Sequence, residues 1–281
     1  MKNKFNIGIG LRNKHYPKFD ESLNSQLDFF EIISENYINT KGRPFELMLR
    51  IRERYPILMH GVSLNIGSTD NLNFDYLSKL KSLIEIVQPE LTSDHLCFTG
   101  LKEKNLHNLL PFAYTKENLE RISHKVDQVQ SYLNRQFVFE NLSAYFTLKN
   151  SEMSEAQFLN NLCEKTGCGI LFDINNLYVN SINQNFSPED FLKDISFKHV
   201  KQFHLAGFSD FGDYLFDTHS EPVYPQVWDL YKLIISQKPN SPVLIEWDEN
   251  IPDFNTVEAE ALKAKQIAID MKIINEVGDI L

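Results

Sequence analysis

Short apolar runs alternate with amphipathic helical stripes from one end of the chain to the other. The runs are Phe5–Arg12, Phe29–Asn36, Ile57–Val62, Leu91–Leu96, Phe137–Asn141, Gly169–Asn176, Val200–Gly207 and Ser241–Asp248. Their near-continuous apolar character predicts strands buried on both faces, as in a parallel sheet. Between them the spacing turns helical. Leu77, Leu80, Ile84 and Val87 keep one stripe, and Leu119, Ile122, Val126, Val129 and Leu133 keep another behind an N-cap at Thr115. Ser154 and Gln157 read as a capping box, and Ser187-Pro188 as an N-cap with proline in the first turn. A last helix is predicted from about Thr256 into the 270s.

Eight strands with helical crossovers predict an α/β fold, a (β/α)8 TIM barrel. An open, doubly wound sheet is the alternative. Gly8-Ile9-Gly10 lies inside the first run and lacks the third glycine of a dinucleotide-binding turn. No Gly/Ser linker, low-complexity tract or short repeat breaks the pattern, so residues 1–281 are expected to form one domain.

Length and composition fit this picture. A chain of 281 residues is ordinary for an α/β barrel, and 42% hydrophobic content supplies a large core. No run approaches the ~18 apolar residues of a membrane span. Met1–Phe5 is basic but leads straight into a strand-like run, without the apolar region and cleavage site of a signal peptide, so a cytoplasmic protein is expected. Three cysteines, Cys97, Cys163 and Cys168, make a poor disulfide framework, and Cys163 and Cys168 lack the second pair of a zinc site. The net charge of −10 argues against a general nucleic-acid binder.

The polar residues inside the runs are not scattered. They fall near the C-terminal end of one strand after another: His60, then Asp94 and His95, then Glu140 and Asn141, then Asp173, Asn175 and Asn176, then His204, then Glu246 and Asp248. Asp217 and His219 lie in the loop after the seventh run. In a barrel that edge carries the active site. An ionisable group at the end of a buried strand is costly unless paired or metal-bound. Any one of these positions alone reads as a hydrogen-bonded loop residue, but the repetition does not. Histidine nitrogens and carboxylate oxygens without thiolates suit Fe, Zn or Mn. Four histidines (His60, His95, His204, His219) and four carboxylates (Glu140, Asp173, Asp217, Glu246) exceed what one tetrahedral ion uses, so more than one ion is expected.

Taken together, His60–Gly67, Ser93–Cys97, Glu140-Asn141, Asp173–Val179, His204–Gly207, Asp217–His219 and Glu246–Asp248 resemble the multinuclear non-heme iron-dependent oxidative enzymes. Gly8–Arg12 and Ser34–Tyr37 resemble the same family. The resemblance implies a TIM barrel related to xylose isomerases and endonuclease four. It implies two or three irons, in mixed Fe2+/Fe3+ states, with O2 as co-substrate. The substrate would be a cysteine in a ribosomally made precursor peptide, presented by a small partner protein. By likeness to the trinuclear site of endonuclease four, His60, His95 and Glu140 would hold one ion, and Glu140, Asp173, His204 and Glu246 a second. Asp217, His219 and Asn176 would hold the third. Endonuclease four has a histidine where Asn176 stands, so a neutral, weaker ligand is expected to hold that ion loosely. Glu140, Asp173, Asn176 and Asp248 are the residues expected nearest the chemistry, with Asn141 as a supporting hydrogen-bonder. Two departures from the family pattern are Asp94, where Glu is commoner, and Phe208, where many relatives carry a histidine.

Other residues read more plainly. Arg12, Glu35 and Asn36 end the first two strands and face either a peptide or an ion pair across the barrel top. His15 reads as a loop histidine, His124 as exposed on its helix, and Cys97 as a small buried residue. Phe208, Phe211, Tyr214 and Phe216 line a peptide groove or pack on the rim. Three rival functions stand beside the oxidative one. A divalent-metal sugar isomerase needs a catalytic lysine or histidine pair, and the strand ends carry no lysine. A phosphodiester hydrolase like endonuclease four would favour zinc and a basic groove. A metal-binding scaffold would have no need of a complete donor set.

Overall fold

The computed structural model describes residues 4–102, 104–275 and 277–280. Eight parallel strands close into a barrel: β1 (Ile7–Gly10), β2 (Phe29–Ile33), β3 (Ile57–Gly61), β4 (Thr92–His95), β5 (Val138–Glu140), β6 (Gly169–Asp173), β7 (Val200–Leu205) and β8 (Val243–Ile245). Each strand pairs with its sequence neighbours, and β8 closes on β1. A helix follows every strand: Tyr16–Glu21, Arg43–Arg52, Phe74–Val87, Lys116–Leu133, Glu155–Thr166, Ile174–Gln184, Pro225–Ile234 and Phe254–Asp270. This is the (β/α)8 barrel that the alternating pattern predicts.

The period of two along each strand sorts the side chains. One set faces the helices and joins the main core: Phe30, Ile32, Met59, Phe139, Ile170, Phe172, Phe203, Leu205, Val243 and Ile245. The other set faces the barrel interior. Its lower layer is a separate small cluster of Phe29, Leu58 and Leu244. Two residues further along the same strands stand Glu31, His60 and Glu246, so the interior changes from apolar to polar towards the C-terminal edge. Gly8 is required in the lower layer. A Cβ there would lie 2.6 Å from the Phe29 ring.

The register carries the donors to one level. His95 is paired with Glu140, and Asp173 with His204. The second pairing depends on an irregularity in which β6 steps from Ile170 opposite Val200 to Leu171 opposite Gln202. Without that extra residue in β7, His204 would point to the helices instead of the interior.

Local signals set the helix starts. Thr115 and Ser187 cap as expected, and Ser154 with Gln157 forms a complete capping box. The last helix begins at Phe254, two residues before the predicted Thr256, because Asp253 caps it. The sixth strand stops at Asp173 rather than Asn176. Asp173 is itself an N-cap, so Ile174 to Asn176 form the first turn of a helix. Likewise Glu35 and Asn36 belong to a short helix, Glu35–Ile38, after β2. No helix among the described residues is long and apolar enough to cross a membrane.

Glu155 supports the loop that borders the barrel mouth. It accepts hydrogen bonds from the Tyr114 hydroxyl at 3.0 Å and the Leu142 amide at 3.3 Å. Burial pushes its carboxyl up from an ordinary 4.5 to about 7. The folded chain therefore holds this proton more tightly than the unfolded one. Stability from that proton is full below pH 4.5 and is lost as pH rises through about 7. Glu155→Gln, which keeps the shape without the charge, is expected to gain on the wild type by on the order of 2 kcal/mol between pH 5 and 8. Urea unfolding across that range checks this, and parallel curves for the two proteins would contradict it.

Candidate metal centre

The interior-facing residues of β3 to β8 bring their polar ends together around Glu140. Its Oε2 lies 3.1 Å from His60 Nε2 and 3.3 Å from His95 Nε2, and its Oε1 lies 3.7 Å from His204 Nδ1. His204 Nδ1 is also 3.0 Å from Glu246 Oε2. Donor atoms of His60, His95 and Glu140 lie within 4.8 Å of one another, as do those of Glu140, Asp173, His204 and Glu246. A third group of this kind joins His219, Glu246 and Asp248.

His219 also meets the partner expected from the sequence. Its Nε2 is 2.7 Å from Asp217 Oδ1, while its Nδ1 is 3.1 Å from Asp248 Oδ2. Asn176 reaches the same cavity. Its Nδ2 donates to the Asn141 carbonyl at 3.0 Å, and its Oδ1 is buried without a hydrogen-bond partner. Two geometries are therefore open for a third ion: His219 Nε2 with Asp217 and Asn176, or His219 Nδ1 with Glu246 and Asp248.

These donors fit metal on physical grounds. His60 Nε2, both Glu140 oxygens, Asp173 Oδ2, Asn176 Oδ1 and His219 Nε2 are buried and have no hydrogen-bond partner. Buried polar atoms are rarely left so. The electrostatics agree. Burial drives Asp173 well above its ordinary range, and the adjacent Glu140 charge adds to this. Burial also opposes ionisation of Glu140, but His95 and His60 outweigh it and hold the carboxyl at about 2. Burial lowers His95 and so favours the neutral, ligand-competent ring. A carboxylate crowd of this kind is relieved by a divalent cation.

The remaining side chains hold the donors in place. His60 Nδ1 is 2.9 Å from Ser93 Oγ, and His95 Nδ1 is 3.2 Å from the Gly61 carbonyl, so both rings turn Nε2 inward. Asn141 clamps the Asp173 backbone in both directions, accepting from its amide at 2.8 Å and donating to its carbonyl at 2.9 Å. Asp173 Oδ1 caps the following helix through the Asn176 amide, which leaves Oδ2 for the cluster. Asn175 Nδ2 donates to Asp217 Oδ1 at 2.7 Å. Arg12 bonds Asp248 at 2.5 Å and the Trp247 carbonyl at 3.1 Å. It is thus the ion pair across the barrel top.

Some residues lie outside the cluster. Asp94 accepts backbone hydrogen bonds from Leu64 and His95, and Glu35 accepts from the Val62 amide and the Tyr76 hydroxyl. Asn36 is exposed. Cys97 is buried and absent from the cavity wall, and Cys163 and Cys168 are buried free thiols with their sulfurs 3.6 Å apart. Phe208 is buried between Tyr178 and Tyr224 and faces no donor. His15 is buried at the end of the short 3-10 turn Asn13–His15 that follows β1, with its ring edge on Phe254. Sequence reasoning missed Glu31 and Ser93. Glu31 was legible only as a lone carboxylate in the apolar run of β2.

The cavity over the donors has a volume of about 160 Å³. It is a chamber for ions and a side chain rather than for a folded segment. His60, His95, Asn176, Asp217, His219, Glu246 and Asp248 line it, with Leu109, Leu142 and Ser143 at the wall. Outside it, Phe211, Tyr214, Phe216 and Tyr145 are exposed, and Tyr145 stacks on Phe216 at 5.0 Å. The Tyr145 hydroxyl accepts from the Asp217 amide, which ties this aromatic rim to the donors. A larger apolar groove of about 410 Å³ shares only Leu142 with the cavity and contains no histidine.

The chain is similar to solved TIM-barrel epimerases: a D-psicose 3-epimerase (11% identity, TM-score 0.62, 94% of this chain and 98% of that one) and the 3-keto-D-glucoside 4-epimerase YcjR of E. coli (12%, 0.63, 94% and 100%). At such identities the likeness is one of fold. Among sequence relatives, a UPF0276 protein of Caulobacter vibrioides is 42% identical over 90% of this chain and 91% of its own. One from Acaryochloris marina is 40% identical, covering 92% of each. The sequence model of the RiPP precursor modification enzymes MbnB/TglH/ChrH matches residues 6–269. The match spans nearly the whole barrel, and the chain belongs to that family.

Proposed function

We propose that this chain is an iron enzyme that uses O2 to oxidise a cysteine side chain in a ribosomally made precursor peptide. The observation that carries this reading is the convergence of histidine and carboxylate donors on both oxygens of Glu140, in a member of a precursor-modifying family. His60, His95 and Glu140 would hold one ion, and Glu140, Asp173, His204 and Glu246 a second. Asp217, His219 and Asn176 would hold a third, with Asp248 against His219 Nδ1 so that Nε2 faces Asp217. When bound, the ferrous ions supply electrons to O2 and an anchor for the substrate thiolate.

The protein supplies the rest. Glu140 would contribute one oxygen beside His60 and His95 and the other beside His204, and Asp173 is locked by Asn141 and its own helix cap. Asp248, at the exposed side of the cavity and braced by Arg12, meets the incoming cysteine. The small cavity selects one side chain, so the peptide stays outside. The aromatic rim of Tyr145, Phe211, Tyr214 and Phe216 offers it, or a small partner protein presenting it, an apolar surface. The net charge of −10 speaks against nucleic acid as the substrate, and a cytoplasmic setting suits free thiols.

Anaerobic, Fe2+-loaded protein mixed with a cysteine-containing precursor peptide is expected to be silent until O2 is admitted. Mass spectrometry then reports a change at cysteine that a Cys→Ser peptide does not undergo. The Zn2+-loaded protein is expected to be inactive. Turnover without O2, or equal turnover with zinc, would overturn the proposal.

A further inference from the structure

Two of the four histidines turn the nitrogen that faces away from the cluster to a plain partner, Ser93 or the Gly61 carbonyl, and His219 Nδ1 lies between Asp248 at 3.1 Å and Glu246 at 3.4 Å. His204 is different, because it is wholly buried in the middle of the barrel. Its Nδ1 faces Glu140 and Glu246, and its Nε2 faces down the interior. There it lies 3.2 Å from Oε1 of Glu31 and 3.0 Å from Nε2 of Gln202. Gln202 in turn donates to Glu31 Oε2 at 2.7 Å. Glu31 stands on β2 and His204 on β7, strands that are not neighbours in the barrel, so the contact spans the interior. Glu31 is only 3% exposed and belongs to none of the three donor groups.

We infer that Glu31 is a positioning residue: it accepts the Nε2–H of His204 and thereby leaves Nδ1 free as the metal-binding nitrogen. The inference rests on the metal-centre reading. Two tautomers compete. If Gln202 donated to Nε2, the proton would sit on Nδ1, facing the cluster, and the ring could not coordinate there. The geometry favours the Nε2–H form: the Gln202 amide is drawn to Glu31 Oε2 at 2.7 Å, which leaves Oε1 of the same carboxyl, 3.2 Å from His204 Nε2, as the acceptor facing that ring nitrogen. Gln202 satisfies one oxygen and His204 the other. Carboxylate–histidine–metal arrangements fix ring orientation and raise ligand basicity in this way.

Glu31→Gln is close to isosteric and still disrupts the arrangement, since its amide must face either the Gln202 amide or the His204 nitrogen with a donor. The double variant Glu31→Gln with Gln202→Glu moves the carboxylate to the other neighbour of Nε2. Each protein is loaded with Fe2+ anaerobically. Bound ions are counted by elemental analysis, and affinities are measured by competition with a chromophoric chelator. Metal-free melting serves as the folding control. Glu31→Gln is expected to weaken one ion by about 10- to 100-fold while the ion at His60 and His95 stays, and the double variant to recover most of the loss. Nitrogen-15 shifts of the Zn2+-loaded wild type should show His204 coordinating through Nδ1. Unchanged affinities in Glu31→Gln, no recovery in the swap, or Nε2 coordination would each overturn the role of Glu31. A wild type that binds no ion would instead remove the metal centre, and Glu31's role with it.

Discussion

Glu140→Ala is expected to reduce bound metal from two or three ions to no more than one, and to lower turnover by at least ~100-fold, the upper range seen when mere supporting residues are lost. The first donor group has no other carboxylate. Without Glu140 it is two imidazoles, His60 and His95, which hold a divalent ion poorly. The second group loses one of three carboxylates and, with it, the bridge between the sites. The fold should survive. Glu140 closes β5 but contributes no cap and no backbone clamp, and its removal relieves the repulsion that helps drive Asp173 upward. His60, now pushed up to about 9 by Glu140 against the cost of burial, would fall back and lose its proton, so no uncompensated charge remains. Elemental analysis and circular dichroism separate the two outcomes. A folded Glu140→Ala protein with the wild-type metal count would show that the bridge is not there. Glu140→Gln, which keeps the volume, should resemble the alanine variant in metal content and the chelated wild type in melting.

The barrel was legible because strands buried on both faces cannot hide in the sequence. Phe29-Phe30-Glu31-Ile32-Ile33 and Ile57-Leu58-Met59-His60 are apolar at adjacent positions, and only a two-sided strand uses both. The donors were legible for the complementary reason. A histidine or carboxylate ending such a run has no cheap environment, so its presence strand after strand marks a shared pocket. What stayed illegible depends on contacts between distant strands or on competition between local signals. Ile174-Asn175-Asn176-Leu177 continues the apolar texture of β6, yet the Asp173 cap turns it into helix. His15 reads as a loop residue until Phe254, more than two hundred positions later, covers it. Glu31 meets His204 across the barrel, and nothing in its own neighbourhood announces the partner. The bulge that aligns Asp173 with His204 has no sequence signal either, although the pairing depends on it.

Removal of the proposed ions is expected to have the other large effect. The cluster packs Glu140, Asp173 and Glu246 with His204 in one buried group, and burial opposes the charge on each carboxylate. Ions bound at about a thousand times their dissociation constants stabilise the folded state by about 4 kcal/mol per site. For a barrel of this size each kcal/mol moves the melting temperature by roughly 2–4 °C, so two sites should raise it by 15 °C or more over the chelated protein. The sign with pH follows from the protons that must leave. Asp173 is raised by burial and by Glu140, and His60 is raised to about 9 against burial by Glu140, so the metal-free cluster holds protons that an ion displaces. Proton competition weakens as pH rises. The metal-free form also loses the stability those protons confer as pH climbs through the raised values. The gap between loaded and chelated melting temperatures should therefore widen from pH 6 to pH 9. Scanning calorimetry on the two forms measures it. A gap that is absent, or that narrows with rising pH, would mean that these carboxylates and histidines satisfy one another without an ion between them.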